Sequence, residues 1–191
     1  VGSEMCIRDS LSAVFADKWY GENNRKLWNA LLAGRRFRTM RCNYYRERME
    51  EEQEAQFGAV TFFPEGCEPV VAFRGTDDSV VGWKEDFNMA FLPVIPSQAD
   101  AADYVTKLGK SFPGKLLLMG HSKGGNLAAY AGMFCDPGIQ KRIERVYPLD
   151  SPGFIGNTLE SEEYGRIQSR VHKVIPKGSL IGMLLENHGA Y

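Results

Sequence analysis

Residues 115–134 constrain the fold of this chain more tightly than any others. Lys115 to Met119 (KLLLM) is a short apolar run, Gly120-His121-Ser122-Lys123-Gly124 follows it, and Gly125 to Phe134 comes next with Leu127, Ala128, Ala131 and Phe134 on one side. The apolar run reads as a buried strand and the later stretch as a helix with an inner face. The turn between them has the pattern G-x-S-x-G, in which a serine is raised on a sharp strand-to-helix corner. A side chain at either Gly120 or Gly124 would strike the neighbouring strand or helix. The helix start also turns its free N–H groups and the positive end of its dipole toward the serine, where a negative oxygen would be favoured. A bare G-x-S-x-G arises by chance in roughly one chain in twenty of this length. The strand before it and the helix after it remove most such accidents. The alternative is a glycine-rich corner with an idle serine.

The rest of the pattern fits an α/β chain. Asn23 or Asn24 can cap a helix with Leu27, Trp28, Leu31 and Leu32 on one face, ended by Gly34. Residues 56–63 (QFGAVTFF) and 68–74 (EPVVAFR) are rich in β-branched and aromatic residues, and the Pro64-Glu65-Gly66-Cys67 turn predicts an antiparallel hairpin. Ser97 and Asp100 form a capping box for a helix with Ala101, Val105, Leu108 and Phe112 in one stripe, stopped by Pro113-Gly114. After the break at Asp136-Pro137-Gly138, a short helix through Ile143 leads to a strand from Arg145 to Leu149, and Val171 to Ile175 is a third candidate strand. Strands alternating with helices imply a mostly parallel sheet with helices on both faces.

With 191 residues the chain is of single-domain size, and 43% hydrophobic with 25% charged residues is ordinary for a globular protein. A net charge of −1 gives no global field toward nucleic acid or an anionic surface. Arg35, Arg36, Arg38, Arg41, Arg46 and Arg48 are followed at once by Glu50, Glu51, Glu52 and Glu54, so they read as a solvated, self-compensating surface. Cys6, Cys42, Cys67 and Cys135 show no CxxC spacing, hence neither a zinc site nor a disulfide framework. The longest apolar-rich stretch, Leu127 to Cys135, is far short of the roughly 20 residues that cross a bilayer. A cytoplasmic location is the default expectation. Residues 1–10 (VGSEMCIRDS) resemble a translated sequencing-adapter remnant and are set aside, which leaves 11–191 as one domain incomplete at its C-terminus.

Phe73-Arg74-Gly75-Thr76 ends the strand expected beside the nucleophile strand, so both carboxyl ends face the edge where open α/β sheets bind ligands. Thr76 can offer its backbone N–H, and its hydroxyl, as one oxyanion donor, with the N–H of Lys123 as the other. FRGTDDSVVGWKEDF (73–87) together with GHSKGGNLAAYA (120–131) resembles the fungal-type, class 3 lipases, and more closely a bacterial lipase-like family of uncharacterised function. QFGAVTF (56–62), YPLDSPGF (147–154) and IPKGSLIGMLLE (175–186) resemble further blocks of that bacterial family, in the same order. The resemblance implies an α/β-hydrolase fold, with Ser122 at the nucleophile position and Thr76 at the oxyanion side-chain position.

In such folds the acid and then the histidine follow the nucleophile along the chain. Asp136 sits at the far end of the helix after the elbow. Asp150 closes the next parallel strand, and is either the acid or a cap of the Ser151-Pro152-Gly153 turn. Class 3 lipases place the acid in the region corresponding to Pro176 to Ser179, where no carboxylate stands here. His121 reads as packing beside the nucleophile and His172 lies early in a strand. His188 reaches the site only by folding back, so the general base is expected beyond residue 191 and the fragment is expected to be inactive. Lys123 either meets an anionic substrate group or is solvated. Trp83, Phe87, Phe91 and Leu92 either line an apolar pocket or belong to the core. The expectation is a serine hydrolase acting on a small-molecule or lipid ester, without metal, cofactor, nucleic-acid partner or stable membrane insertion; a silent binding module or an acyltransferase is the alternative.

Overall fold

The computed structural model describes residues 21–186 of the chain. The adapter-like residues 1–10, with Cys6, lie outside the described residues, as does His188. Among the described residues helix α1 (Gly21–Ala33) is followed by strands β1 (Arg41–Glu50), β2 (Ala55–Phe63) and β3 (Val70–Phe73). Then come helices α2 (Val80–Asn88) and α3 (Pro96–Ser111), strand β4 (Leu116–His121), helix α4 (Lys123–Phe134), the short α5 (Pro137–Gln140) and strand β5 (Ile143–Leu149). The five strands form one sheet in chain order. β1–β2 and β2–β3 are antiparallel, the second being the hairpin the sequence predicts, while β3–β4 and β4–β5 are parallel. The segment expected as a third parallel strand adds only isolated bridges, Val171 to Val146 and Val174 to Leu149.

Period-two alternation decides which sheet face is dry. Phe57, Ala59, Val71, Phe73, Leu116, Leu118 and Val146 point to one face and are buried. On the other, Val60, Ala72, Met119 and Tyr147 are half-buried. α3 packs on the dry face through Ala101, Tyr104, Val105 and Leu108, and α4 through Leu127, Ala128 and Ala131. Every residue of α4 from Lys123 to Met133 is buried, as expected for a helix apolar on most sides.

Several local expectations are corrected. Asn23 and Asn24, the expected caps, lie within α1, which leaves Leu27 and Leu32 exposed. Ser97 does not cap α3. That helix starts one residue earlier, and Gln98 Oε1 accepts the Ile95 N–H at 3.0 Å. Asp100 instead accepts from Arg46 and Arg48, both at 2.9 Å. Within the arginine run, Arg46 and Arg48 are therefore paired chiefly across space, from β1 to α3, with Glu50 on Arg48 as the sequence-local part. Cys42 and Cys67 are exposed free thiols and Cys135 is a buried one.

Candidate active site

The corner between β4 and α4 is built by close backbone approach. Ser122 has φ 55 and ψ −128, a left-handed conformation that L residues avoid unless the surroundings impose it. A Cβ on Gly120 would lie 2.2 Å from Gly124 O, and one on Gly124 would lie 2.3 Å from Phe73 O. Only hydrogen fits at either place. Ser122 stands at the N-cap position of α4 yet makes no side-chain capping bond, so its hydroxyl is not used by the helix. Its N–H is held by Leu149 O at 3.0 Å. The Gly75-Thr76 loop leans on the same corner, since a Cβ on Gly75 would meet His121 O at 2.7 Å and Ser122 Cβ at 3.6 Å. The chain thus brings Ser122, the first turn of α4 and the loop after β3 to one edge.

The first N–H groups of a helix have no acceptor within it. That of Lys123 is the first of α4. The Thr76 hydroxyl lies 2.7 and 2.6 Å from the two oxygens of Asp86 on α2. An ionised Asp86 accepts the hydrogen bond that the hydroxyl donates, which leaves the backbone N–H as the donor Thr76 can turn outward. Burial pushes the Asp86 carboxyl above the ordinary carboxylate range, while the Thr76 hydroxyl bond and the Lys123 charge act in the opposite direction.

Lys123 is not solvated, contrary to the sequence expectation, and it does not face a substrate group. Its side chain is 1% exposed and its ammonium meets Glu85 Oε2 at 2.8 Å, Gln56 O at 2.9 Å and Gln56 Oε1 at 2.7 Å. Glu85 is 0% exposed and also accepts from Gln56 N and Ser97 N, each at 3.0 Å, and from the Ser97 hydroxyl at 2.8 Å. Desolvating two charges is expensive, and such a pair survives only when every remaining proton and lone pair is used. Here they are.

Asp150 follows β5. The β4–β5 register sets His121 opposite Leu149, so Ser122 and Asp150 leave adjacent strands at the same edge, and Asp150 also has a positive φ of 44. Its carboxylate does not cap the 151–153 turn. Oδ1 accepts from the Ser179 hydroxyl and, at 3.1 Å, from Gly182 N. Lys173, half-buried behind that loop, donates to Gly182 O at 3.0 Å, and burial holds its amine down to about 8.

Among the described residues no imidazole is hydrogen-bonded to Ser122. His121 is exposed beside it. His172 is exposed, stacks on Tyr147 with ring centroids 5.6 Å apart, and lies 3.2 Å from Arg145. Asp136 accepts from Gly138 and Ile139 at the start of α5, remote from the corner as expected. No group of His, Cys, Asp and Glu side chains suited to a metal ion occurs among the described residues. None of the helices among them is long and apolar enough to cross a membrane.

Trp83, Phe87, Phe91 and Leu92 are not core. They are 56, 66, 78 and 43% exposed. α2 points Gly82 and Glu85 inward and Val80, Trp83 and Phe87 outward, so an apolar surface stands beside the Gly75-Thr76 loop. Sequence reading missed Glu85, Gln56, Asp86 and Ser179. The available signal was the lysine beside the serine, which needs a counter-ion when its helix is otherwise uncharged and mostly apolar.

Among solved structures, two that resemble this fold are lipases by description. One is described as a crystal structure of M37 lipase, with TM-score 0.52 and 14% identity over 83% of this chain and 61% of that one. The other is a fungal lipase–inhibitor complex described as a model for interfacial activation, with TM-score 0.52 and 15% identity over 74% of this chain and 59% of that one. The chain therefore spans about three fifths of the length of either. At such identities the likeness establishes the α/β-hydrolase fold. No curated protein sequence matches the chain. The model of the Mbeg1-like family matches residues 31–191.

Proposed function

Given that the chain belongs to the Mbeg1-like family, we propose that it is a serine hydrolase of lipase or esterase type, cleaving a carboxylic ester through an acyl-enzyme on Ser122. The observation that carries this reading is Ser122 itself. A residue at φ 55, fixed between two glycines that admit no side chain and excused from capping its helix, is a costly way to make a mere turn.

In the proposed sequence Ser122 Oγ bonds to the ester carbonyl carbon as an imidazole takes its proton. The carbonyl π electrons move to the oxygen, where the backbone N–H groups of Lys123 and Thr76 receive the negative charge. Collapse of the intermediate breaks the bond to the alkoxy oxygen, which leaves with the proton from the imidazole. Water then repeats the steps to release the acid. Asp150 supplies the carboxylate that orients the imidazole. Its place beside the serine strand supports that role, and it stands in for the absent carboxylate between Pro176 and Ser179. The apolar outer face of α2 supports an ester with an apolar acyl or lipid portion.

That no imidazole among the described residues meets Ser122 favours a second reading, a binding module that has kept the corner without its chemistry. A fluorophosphonate probe on the full-length protein separates the two. Labelling of wild type and none of Ser122→Ala is the expected result. Equal labelling of both removes Ser122 as nucleophile, and labelling of neither supports the binding module.

A further inference from the structure

We propose that the buried Lys123–Glu85 pair is a positioning device for the oxyanion site, holding the first turn of α4 where the Lys123 N–H faces the reacting oxygen. This rests on the hydrolase reading above and names further residues for it. Lys123 has two functions at once in this arrangement. Its backbone belongs to the corner and its side chain runs inward to a junction of three other elements. The ammonium has three protons and finds three acceptors, two on Gln56 of β2 and one on Glu85 of α2. Glu85 in turn accepts from Gln56 N and from the N–H and hydroxyl of Ser97 in the first turn of α3. One carboxylate thus ties β2, α2, α3 and α4 together at a point one side chain away from the nucleophile.

Two arguments favour positioning over stability. A buried ion pair is often matched or exceeded in stability by apolar residues of similar volume, and the rest of α4 is buried without any other charge. The pair is also electrically closed. Glu85 neutralises Lys123, so the pair offers little net charge to a substrate and acts through geometry. The neighbouring residue on α2 completes the arrangement, because Asp86 holds the Thr76 hydroxyl. Two consecutive acidic side chains therefore brace the two residues whose N–H groups are assigned to the oxyanion.

The test uses the full-length protein with p-nitrophenyl butyrate, reading kcat, KM and thermal melting for two variants. The double variant Lys123→Met with Glu85→Gln removes both charges at nearly constant shape. Glu85→Asp keeps the charge and shortens its reach by one methylene. Positioning predicts that kcat falls at least about tenfold in both, a fraction of the roughly 10²–10³-fold loss on removing an oxyanion donor outright, with KM within about twofold of wild type. A pair that serves only the fold gives lower melting temperatures with wild-type kcat, and that result overturns the inference. Where the double variant does not fold, Glu85→Asp decides by the same criterion. Wild-type protein with no Ser122-dependent turnover would sink the hydrolase reading itself and this inference with it, an outcome distinct from equal kcat values.

Discussion

Replacing Gly124 with alanine tests the backbone packing on which the site depends. The added Cβ would stand 2.3 Å from Phe73 O and 2.9 Å from the Arg74 carbonyl carbon. A carbon and a carbonyl oxygen ordinarily come no closer than about 3.3 Å, so α4 and the end of β3 must part by about 1 Å. Helix propensity works the other way, favouring alanine by about 1 kcal/mol. Forcing two backbones apart lies toward the upper end of the roughly 1–3 kcal/mol cost of overpacking, which leaves a net loss of about 2 kcal/mol. For a chain of this size that corresponds to a fall in Tm of roughly 4–8 °C. The same displacement separates the strand that leads into Gly75-Thr76 from Lys123, and a 1 Å misplacement of reacting groups costs on the order of 10²-fold in rate. Gly165→Ala is the control, since a Cβ there meets nothing within 4 Å, and its effect should stay within about 0.5 kcal/mol. Thermal melting and ester turnover on the three proteins decide the matter. A Gly124→Ala protein that melts and turns over like wild type would refute the reasoning.

Three further outcomes are expected. Asp150→Asn keeps the volume and tolerates φ 44, so melting should barely change while kcat falls on the order of 10³-fold or more; near-wild-type turnover would leave Asp150 a purely structural role. Thr76→Val removes the donor that opposes the upward push of burial on Asp86. A raised carboxyl costs stability only once it ionises, so urea unfolding should show the variant weakest above the carboxylate range and its deficit shrinking as pH falls toward about 4; a deficit constant with pH contradicts this. For Lys173, held down to about 8 by burial, the folded chain binds fewer protons than the unfolded one between that value and about 10.4. Wild-type stability should therefore rise relative to Lys173→Met from pH 8 to pH 10, and parallel profiles would sink the assignment.

What the sequence disclosed and what it hid follow one physical line. The corner was legible because its constraints are local: an apolar run, glycines where side chains cannot stand, and an amphipathic stretch all lie within residues 115–134. The hairpin of β2 and β3 was legible for the same reason. Strand β1 was not, because RCNYYRERME has no apolar alternation, and its arginines find partners on α3 more than fifty residues away. Lys123 was misread because charge predicts exposure unless a counter-ion is known, and Glu85 is 38 residues distant in the chain. For Trp83, Phe87, Phe91 and Leu92 the core alternative failed in the opposite sense, since large apolar side chains suggest burial and these are exposed. Asp150 was located by counting strands, but its partners Ser179 and Gly182 belong to a loop with no periodic signal.

Helix α2 divides its labour around its circumference. The side that carries Gly82, Glu85 and Asp86 serves the corner, whereas Val80, Trp83 and Phe87 are largely exposed to solvent. On the proposed hydrolase reading, randomising only those outward positions is a route to retuning which molecules settle there while the proposed reacting groups stay in register. A single nine-residue helix gives an engineer a dial that turns independently of the engine.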